Sequence, residues 1–197
     1  MSRRGPYAKG VAKREEILRT ALEVVDRNGM RGTSVRELAD AVDLTQAGLL
    51  HHFGSKEALF LAILTVRDDE DTERAAGLDV IDQFLLVIQR NARTPGMVQL
   101  FTSLAAAATS DPAHPAHAWF AERYVRFRTL LTESMRERQT RGEVPADVDV
   151  EKLAAVMMAV SDGMQLQWML DPSTDMSAHV RLVWELALRS APRSVSG

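Results

Sequence analysis

Apolar residues recur at three- and four-residue spacing along almost the whole chain, and no stretch of useful length alternates between apolar and polar side chains. The first pattern is the period of an amphipathic helix, whereas alternation would indicate a half-buried strand. Proline and glycine are few, at 7 and 11 of 197 residues, and good helix formers such as alanine, leucine and glutamate are frequent. The sequence therefore predicts an all-α protein with about nine helices.

Capping residues and breaks divide this pattern into separate helices. Ser34 is followed three residues later by Glu37, which is the spacing of a capping box at the start of a helix. Thr45 and Ser55 can cap two further helices, and Thr94 precedes a proline that suits a first helical turn. The predicted helices span 11–28, 34–42, a short segment after Thr45, a segment after Ser55, 78–93, 95–110, 115–141, 149–170 and 176–190.

Two short helices separated by Asp43 and Leu44 follow the first helix, as in a helix-turn-helix, whose second helix enters the major groove of DNA. The expected core between the helices consists of Val35, Leu38, Ala39, Val42, Leu44, Leu49 and Phe53. On its other side the last of these helices presents Thr45, Gln46, Ala47, Gly48, His51 and His52.

These residue types suit a DNA-reading helix. Gln46 can read a base edge, and Thr45 can bond a phosphate or meet the methyl group of thymine. Small residues such as Gly48 let the helix backbone sit deep in the groove. The alternative is that the same side chains are plain solvent-exposed surface.

Residues 33–59 resemble the DNA-binding signature of the TetR family of transcriptional regulators, and the resemblance extends over residues 11–64. Its most specific part is the pattern Leu-x-His-x-Phe-x-Ser-Lys-Glu-x-Leu at residues 49–59. The resemblance implies a helix-turn-helix DNA-binding domain at 1–56, with a basic arm at 1–10. It also implies a helical effector-binding and dimerisation domain at 57–197, although that part resembles the family only in length and helicity.

The resemblance implies contacts to double-stranded DNA from three helix starts and, through His51, from near the end of the third helix. The start of the second helix and Lys56 would lie against phosphates, and the start of the third helix would lie in the major groove. The residues so assigned are Thr33, Ser34, Arg36, Thr45, Gln46, Ala47, Gly48, His51, His52 and Lys56.

The chain departs from the family pattern at three positions of this segment. Leu50 and His52 replace aromatic residues that are common there, so tyrosine–phosphate contacts do not carry over to them. Asp43 replaces the usual glycine of the turn. We expect the turn to persist, because aspartate tolerates a left-handed backbone better than most residues.

The formal net charge of −3 conceals an uneven distribution. Residues 1–36 contain nine basic and four acidic side chains, a net charge of +5, so the remainder carries −8. The positive end is therefore the end with the helix-turn-helix. Residues 2–9, with Arg3, Arg4 and Lys9, are either a soluble tail or an arm that enters the minor groove.

The helix at 149–170 places two methionines and two polar residues on one face. Such a face can line a pocket for a small-molecule effector, with adaptable apolar walls and orienting hydrogen bonds. The alternative is that the methionines are core and that Asp162 pairs locally. The candidates for this site are Met158, Asp162, Gln165 and Met169, with Phe84, Phe101, Trp119, Tyr124 and Phe127 as further wall residues.

The last two helices carry apolar faces that are too broad for one helix pair to bury. We expect them to pack against the same pair of a second chain, which gives a C2 homodimer facing a palindromic operator. The residues of these faces include Leu153, Val156, Val160, Met164, Val180, Val183, Trp184 and Ala187.

Several other classes are disfavoured by the sequence. The lack of cysteine excludes disulfides, cysteine-ligated zinc and iron–sulfur clusters, and the apolar stretches are too short to span a membrane. His51 and His52 point about 100° apart on a helix, and Pro115 stands between His114 and His117, so neither pair favours a metal site. No cofactor-binding motif or catalytic constellation is present.

We therefore expect a cytoplasmic, homodimeric regulator, typically a repressor that a small molecule releases from DNA. The alternative is a DNA-binding protein that has no small-molecule effector.

Overall fold

The computed structural model of this chain describes residues 6–28 and 34–189. The described part contains helices and no strand, which confirms the predicted all-α class. The helices are α1 (Pro6–Asn28), α2 (Val35–Ala41), α3 (Gln46–Phe53), α4 (Lys56–Arg74), α5 (Val80–Asn91), α6 (Pro95–Ser110), α7 (His117–Thr140), α8 (Val150–Leu170) and α9 (Met176–Arg189).

The chain divides into two compact units. Unit 1 comprises Met1–Arg74 and Thr94–Ala118, and unit 2 comprises Ala75–Arg93 and Trp119–Gly197. No helix of the described residues is both long and apolar enough to cross a membrane.

In unit 1, α1 packs against α2, α4 and α6, and α3 lies between α2 and α4. Of the seven residues predicted for the helix-turn-helix core, five are buried and two, Val35 and Leu44, are half-buried. The core thus holds the two short helices together from both sides of the turn. The five buried members are Leu38, Ala39, Val42, Leu49 and Phe53.

The first helix begins earlier than predicted, at Pro6 and not at residue 11. Proline is favoured at the first helical position because its missing N–H has no partner there in any case. The second half of the expected basic arm is therefore helical. Arg3 and Arg4 lie outside the described residues.

The second half of α4 is almost wholly polar in sequence, yet the structure buries part of it. Arg67 and Asp71 are 4% and 8% exposed, and Arg67 Nε donates to Asp71 Oδ2 at 3.2 Å. Arg67 Nη2 also donates to Thr94 Oγ1 at 3.1 Å. Thr94 precedes α6 as predicted, but its side chain makes no capping hydrogen bond, because the hydroxyl oxygen accepts from the buried guanidinium instead.

In unit 2, α9 packs against both α8 and α5. The buried residues of this unit include Ile81, Leu85, Leu131, Met135 and Met157.

The apolar faces of α8 and α9 differ in detail from the prediction. Met164, Val180 and Trp184 are already buried within the chain, in which α8 and α9 pack on each other. Leu153, Val160, Val183 and Ala187 are half-buried, and only Val156 of the predicted set is exposed. The large apolar side chains that these two helices leave exposed are Val156, Leu166, Met169, Leu170, Leu182 and Leu186.

Candidate DNA-binding site

The turn between α2 and α3 has the left-handed backbone expected of it. Asp43 has a φ of +55°, and the amides of Val42 and Leu44 both donate to the carbonyl of Ala39, at 3.2 and 2.9 Å. These bonds close the end of α2 and lead the chain into α3 over the four residues 42–45.

The start of α2 is fixed by the predicted capping box. Ser34 Oγ accepts from the Glu37 amide at 3.1 Å, and the Ser34 amide donates to Glu37 Oε2 at 2.7 Å. One turn further on, Arg36 and Asp40 are mostly exposed and 3.9 Å apart, which makes a weak ion pair. The Arg36 guanidinium can therefore exchange Asp40 for a phosphate at small cost. Thr33 lies outside the described residues.

Thr45 caps α3, as predicted, by accepting from the Gly48 amide at 3.0 Å. Thr45, Gln46 and Ala47 are exposed at this end of the helix. A Cβ atom on residue 48 would lie 3.2 Å from Thr45 Oγ1. Because Gly48 has no side chain, it leaves room for the Thr45 cap and also keeps the helix surface flat. The sequence interpretation missed the first of these two reasons for a glycine at position 48.

At the other end of α3, His51 is exposed and His52 is half-buried, with their ring centroids 6.3 Å apart. Gly54 ends the helix with a φ of +86°, and its amide donates to the carbonyl of Leu50 at 2.7 Å. The positive φ is a conformation that glycine adopts without strain.

Lys56 is the first residue of α4, where Ser55 Oγ accepts from the Ala58 amide at 3.0 Å, as expected of a cap. The Lys56 side chain is exposed, and its Nζ lies 5.5 Å from the centroid of the Phe60 ring. Three consecutive helix starts therefore carry exposed polar groups. Each start also carries amide N–H groups and the positive end of a helix dipole, which favour phosphate oxygens.

The effector-site candidates of unit 2 come together around one carboxylate. Tyr124 on α7 donates its hydroxyl to Asp162 Oδ2 at 2.6 Å, and Gln165 Nε2 donates to Asp162 Oδ1 at 3.4 Å. Burial raises the pKa of Asp162, and the bond from Tyr124 and the charge of Arg123 oppose that rise. Burial and the neighbouring Asp162 raise the pKa of the Tyr124 hydroxyl above its ordinary range.

The other candidates for this site are more dispersed. Met158 is buried on the same helix, whereas Met169 is 36% exposed. Trp119 packs edge-on against Phe120, with ring centroids 4.9 Å apart. Phe101 belongs to unit 1, and Phe84 and Phe127 belong to unit 2 with Asp162.

Two residues of this cluster were not among the sequence candidates. Phe120 is buried beside Tyr124, with ring centroids 6.4 Å apart, and the Cζ of Arg123 lies 4.4 Å from the centroid of Phe127. Phe120 precedes Tyr124 by four residues, so the period of α7 was the signal that could have found it.

The histidines between α6 and α7 have structural partners. His114 Nδ1 accepts from the Ala116 amide at 3.1 Å, and His117 Nδ1 lies 2.8 Å from the carbonyl oxygen of Ala108. These bonds hold the turn between the two helices. Among the described residues, no three metal-ligating side chains gather into a group.

Two family models match the chain. Residues 17–63 match the model of bacterial regulatory proteins of the tetR family, and residues 78–190 match that of the C-terminal part of BetI-type transcriptional repressors. The second match extends the resemblance to a region where the sequence interpretation had only length and helicity.

Curated and solved relatives agree with these matches. The HTH-type transcriptional repressor AcnR of Corynebacterium efficiens is 27% identical over 188 residues, 92% of this chain and 95% of that protein. A TetR-family regulator from Cytophaga hutchinsonii superposes with a TM-score of 0.65 at 21% identity, over 91% of this chain and 93% of the other. A protein from Saccharomonospora viridis, solved in complex with choline, has a TM-score of 0.66 at 20% identity and covers 91% and 97%.

The last two comparisons show the fold, and the family models cover the helix-turn-helix and most of the remaining helices. TetR-family regulators bind DNA and act as dimers with small-molecule effectors, and they are not enzymes. This chain belongs to the TetR family of bacterial DNA-binding transcriptional regulators.

Proposed function

We propose that the chain is a cytoplasmic repressor whose homodimer binds a palindromic operator through α3 and leaves it when a small molecule binds unit 2. The observation that carries the proposal is the exposed start of α3, where Gln46 and Ala47 stand beside a helix cap that Gly48 leaves room for. A glutamine there can bond an adenine edge, and small neighbours let the helix approach the bases.

Phosphate contacts flank this reading surface in the proposal. Lys56 at the start of α4, Arg36 in α2 and His51 near the end of α3 are exposed, and each carries nitrogen donors. Ser34 and Thr33 at the start of α2 complete the set, with His52 beside His51. Such contacts position the protein on the duplex without reading sequence.

The effector site in the proposal is centred on Asp162. A half-buried carboxylate bonded to Tyr124 and Gln165 can exchange these partners for a ligand's donor groups. Met158 and Trp119 would supply apolar walls of this site, and Met169 remains a candidate for them, whereas Phe101 belongs to unit 1. Ligand binding would favour a conformation with wrongly spaced recognition helices, and a coupling of about 1–3 kcal/mol would suffice.

Two single substitutions in unit 1 test the DNA-binding surface. We expect Gln46→Ala to change which sequences the protein prefers, because it removes a base contact. Lys56→Ala should weaken binding to all sequences together, and the slope of log K against log salt should become less negative by about 0.9, because one phosphate contact is lost. Binding of labelled DNA measured at several salt concentrations gives both quantities.

Lys152→Ala is the matched control, since it removes the same charge from an exposed lysine of unit 2. It should leave both sequence preference and salt slope unchanged. Wild-type affinity and preference in both Gln46→Ala and Lys56→Ala would contradict the proposed surface.

A further inference from the structure

We propose that Arg14 of α1 is a positioning residue for DNA recognition: it holds the C-terminal end of α3 and does not itself bind phosphate. The inference rests on the proposed role of α3 as the reading helix. It assigns a function to a residue outside the helix-turn-helix and outside the predicted contact set.

The side chain of Arg14 reaches α3 with two kinds of contact. Its Nη1 donates to the carbonyl oxygen of His52 at 3.0 Å, and its Cζ lies 4.4 Å from the centroid of the Phe53 ring. The two partners are the last two residues of α3 and stand almost forty positions further along the chain. The contact therefore links α1 directly to the end of the reading helix.

The C-terminal end of α3 has carbonyl groups that need hydrogen-bond donors from outside the helix. The last four carbonyl groups of a helix have no partner within it, and together they carry a partial negative charge. The Gly54 amide donates a hydrogen bond to the carbonyl of Leu50, and the Arg14 guanidinium donates one to the carbonyl of His52. A cation at this end also interacts favourably with the helix dipole.

The helix α3 is also too short to be stable without contacts to the rest of unit 1. With eight residues, α3 is below the length at which an isolated helix is stable in water. Leu49 and Phe53 anchor its buried face, at 0% and 7% exposure, and Thr45 caps its start. Arg14 supplies the contact at the far end, so its loss should let the helix rotate or fray and displace Gln46 from its base.

An arginine suits this position better than a lysine. A planar guanidinium can lie against an aromatic face while its edge donates a hydrogen bond, whereas an ammonium group is a compact point charge. Arg14→Lys should therefore keep the charge and restore only part of the function.

The experiment compares Arg14→Met and Arg14→Lys with wild type and with Arg19→Met, which removes the same charge from an exposed position of α1. The DNA probes are a duplex selected by the wild-type protein from a random pool and a scrambled duplex of equal length. Binding is measured at several salt concentrations. Amide hydrogen exchange of α3 is measured without DNA, and thermal unfolding checks that each variant is folded.

Arg14→Met should bind the selected duplex about tenfold more weakly, as expected for loss of a hydrogen bond to a charged group. Its affinity for the scrambled duplex and its salt slope should stay at the wild-type values, and α3 amides such as that of Gly54 should exchange faster. Arg14→Lys should fall between wild type and Arg14→Met. Arg19→Met should not accelerate exchange in α3.

Equal losses of affinity on both duplexes, with a slope of log K against log salt that is less negative by about 0.9, would identify Arg14 as a phosphate contact and overturn the proposal. Wild-type binding and wild-type exchange in Arg14→Met would overturn it as well. If the wild-type protein selects no duplex, the proposed function fails, and the exchange of α3 still decides whether Arg14 holds the helix.

Discussion

The carboxylate of Asp162 is a titratable group of unit 2 whose pKa is shifted by burial. It is removed from water by burial, and it accepts hydrogen bonds from Tyr124 and Gln165. Burial acts against the charged form, whereas the bond from Tyr124 and the charge of Arg123 act for it. The net result is a pKa above the ordinary aspartate value, so the folded protein holds this proton more tightly than the unfolded chain.

This shift predicts how Asp162→Asn changes the stability of the protein with pH. The raised pKa of Asp162 gives a stabilising contribution that is complete below 3.8, the ordinary aspartate value, and is lost as the pH rises through the raised value. Asparagine does not titrate and can still accept from Tyr124. The free energy of unfolding of Asp162→Asn relative to wild type should therefore increase with pH across that window, as measured by urea unfolding at several pH values.

Asp171→Asn is a control of opposite sign. The side chain and amide of Ser173 hold the pKa of Asp171 below its usual value, so its contribution is present at neutral pH and is lost on acidification. The relative stability of Asp171→Asn should therefore fall as the pH rises through the aspartate range. If the free energy of unfolding of Asp162→Asn relative to wild type stays constant or falls as the pH rises, the raised pKa assigned to Asp162 is wrong.

The helix α4 joins the proposed DNA-contacting Lys56 to a buried ionic cluster in its second half. Arg67, with its side chain 5% exposed, bonds Asp71 on the same helix and Thr94 at the start of α6. The cluster thus ties α4 to α6 within unit 1. Removing one partner of a buried ion pair leaves a charge that has lost its compensation, and the cost is large compared with that of a surface pair.

Asp71→Asn should therefore lower the free energy of unfolding by about 3 kcal/mol, measured by chemical denaturation. Arg74→Gln, which breaks the exposed pair with Glu70 one turn later, should cost less than about 1 kcal/mol. Equal effects of the two substitutions would show that the buried cluster does not stabilise unit 1.

The helices show how far the sequence could predict the structure. The ends of α2 and α3 follow from local signals, namely the Ser34 capping box, the Thr45 cap and the turn at Asp43, and these predictions are confirmed. The early start of α1 was missed because the basic residues Arg3, Arg4 and Lys9 suggested an arm. Charge and composition favour exposure of Arg67 and Asp71, whereas both are buried in unit 1, where α4 packs against α1 and α6.

In the candidate sites, too, some features could be predicted from local sequence and others depend on tertiary packing. The cap at Thr45 could be predicted from the sequence, but the close approach of a Cβ on residue 48 to Thr45 Oγ1 is visible only in three dimensions. The pairing of Asp162 with Gln165 follows from the period of α8. Its pairing with Tyr124 joins two helices that are distant in sequence, and the hydrophobic spacing contains no signal for it.

Positive charge and exposed apolar side chains are concentrated in different parts of the chain. The sequence concentrates positive charge in residues 1–36, beside the proposed DNA-binding helices, and leaves −8 on the rest of the chain. The exposed apolar side chains of α8 and α9 belong to unit 2, including Leu166 and Leu182 at 54% and 49% exposure. Such an exposed apolar surface on a helix pair is suited to pairing with a second copy of the chain.

Leu182→Glu should convert the homodimer to a monomer, because a charge would be buried in the proposed interface of α8 and α9. Light scattering of the purified protein measures the mass directly. Leu78→Glu is the control, since Leu78 is 47% exposed and lies outside α8 and α9. A Leu182→Glu protein that keeps the dimer mass would place the interface elsewhere on the chain.

Selection of bound duplexes from a random DNA pool by the full chain tests the central claim most directly. A dimer with two reading helices should enrich a two-fold symmetric sequence, with half-site centres separated by about 10–10.5 base pairs or a multiple of that repeat. Enrichment of a single sequence without symmetry would contradict the dimeric reading mode. The absence of any enriched sequence would contradict sequence-specific binding by α3.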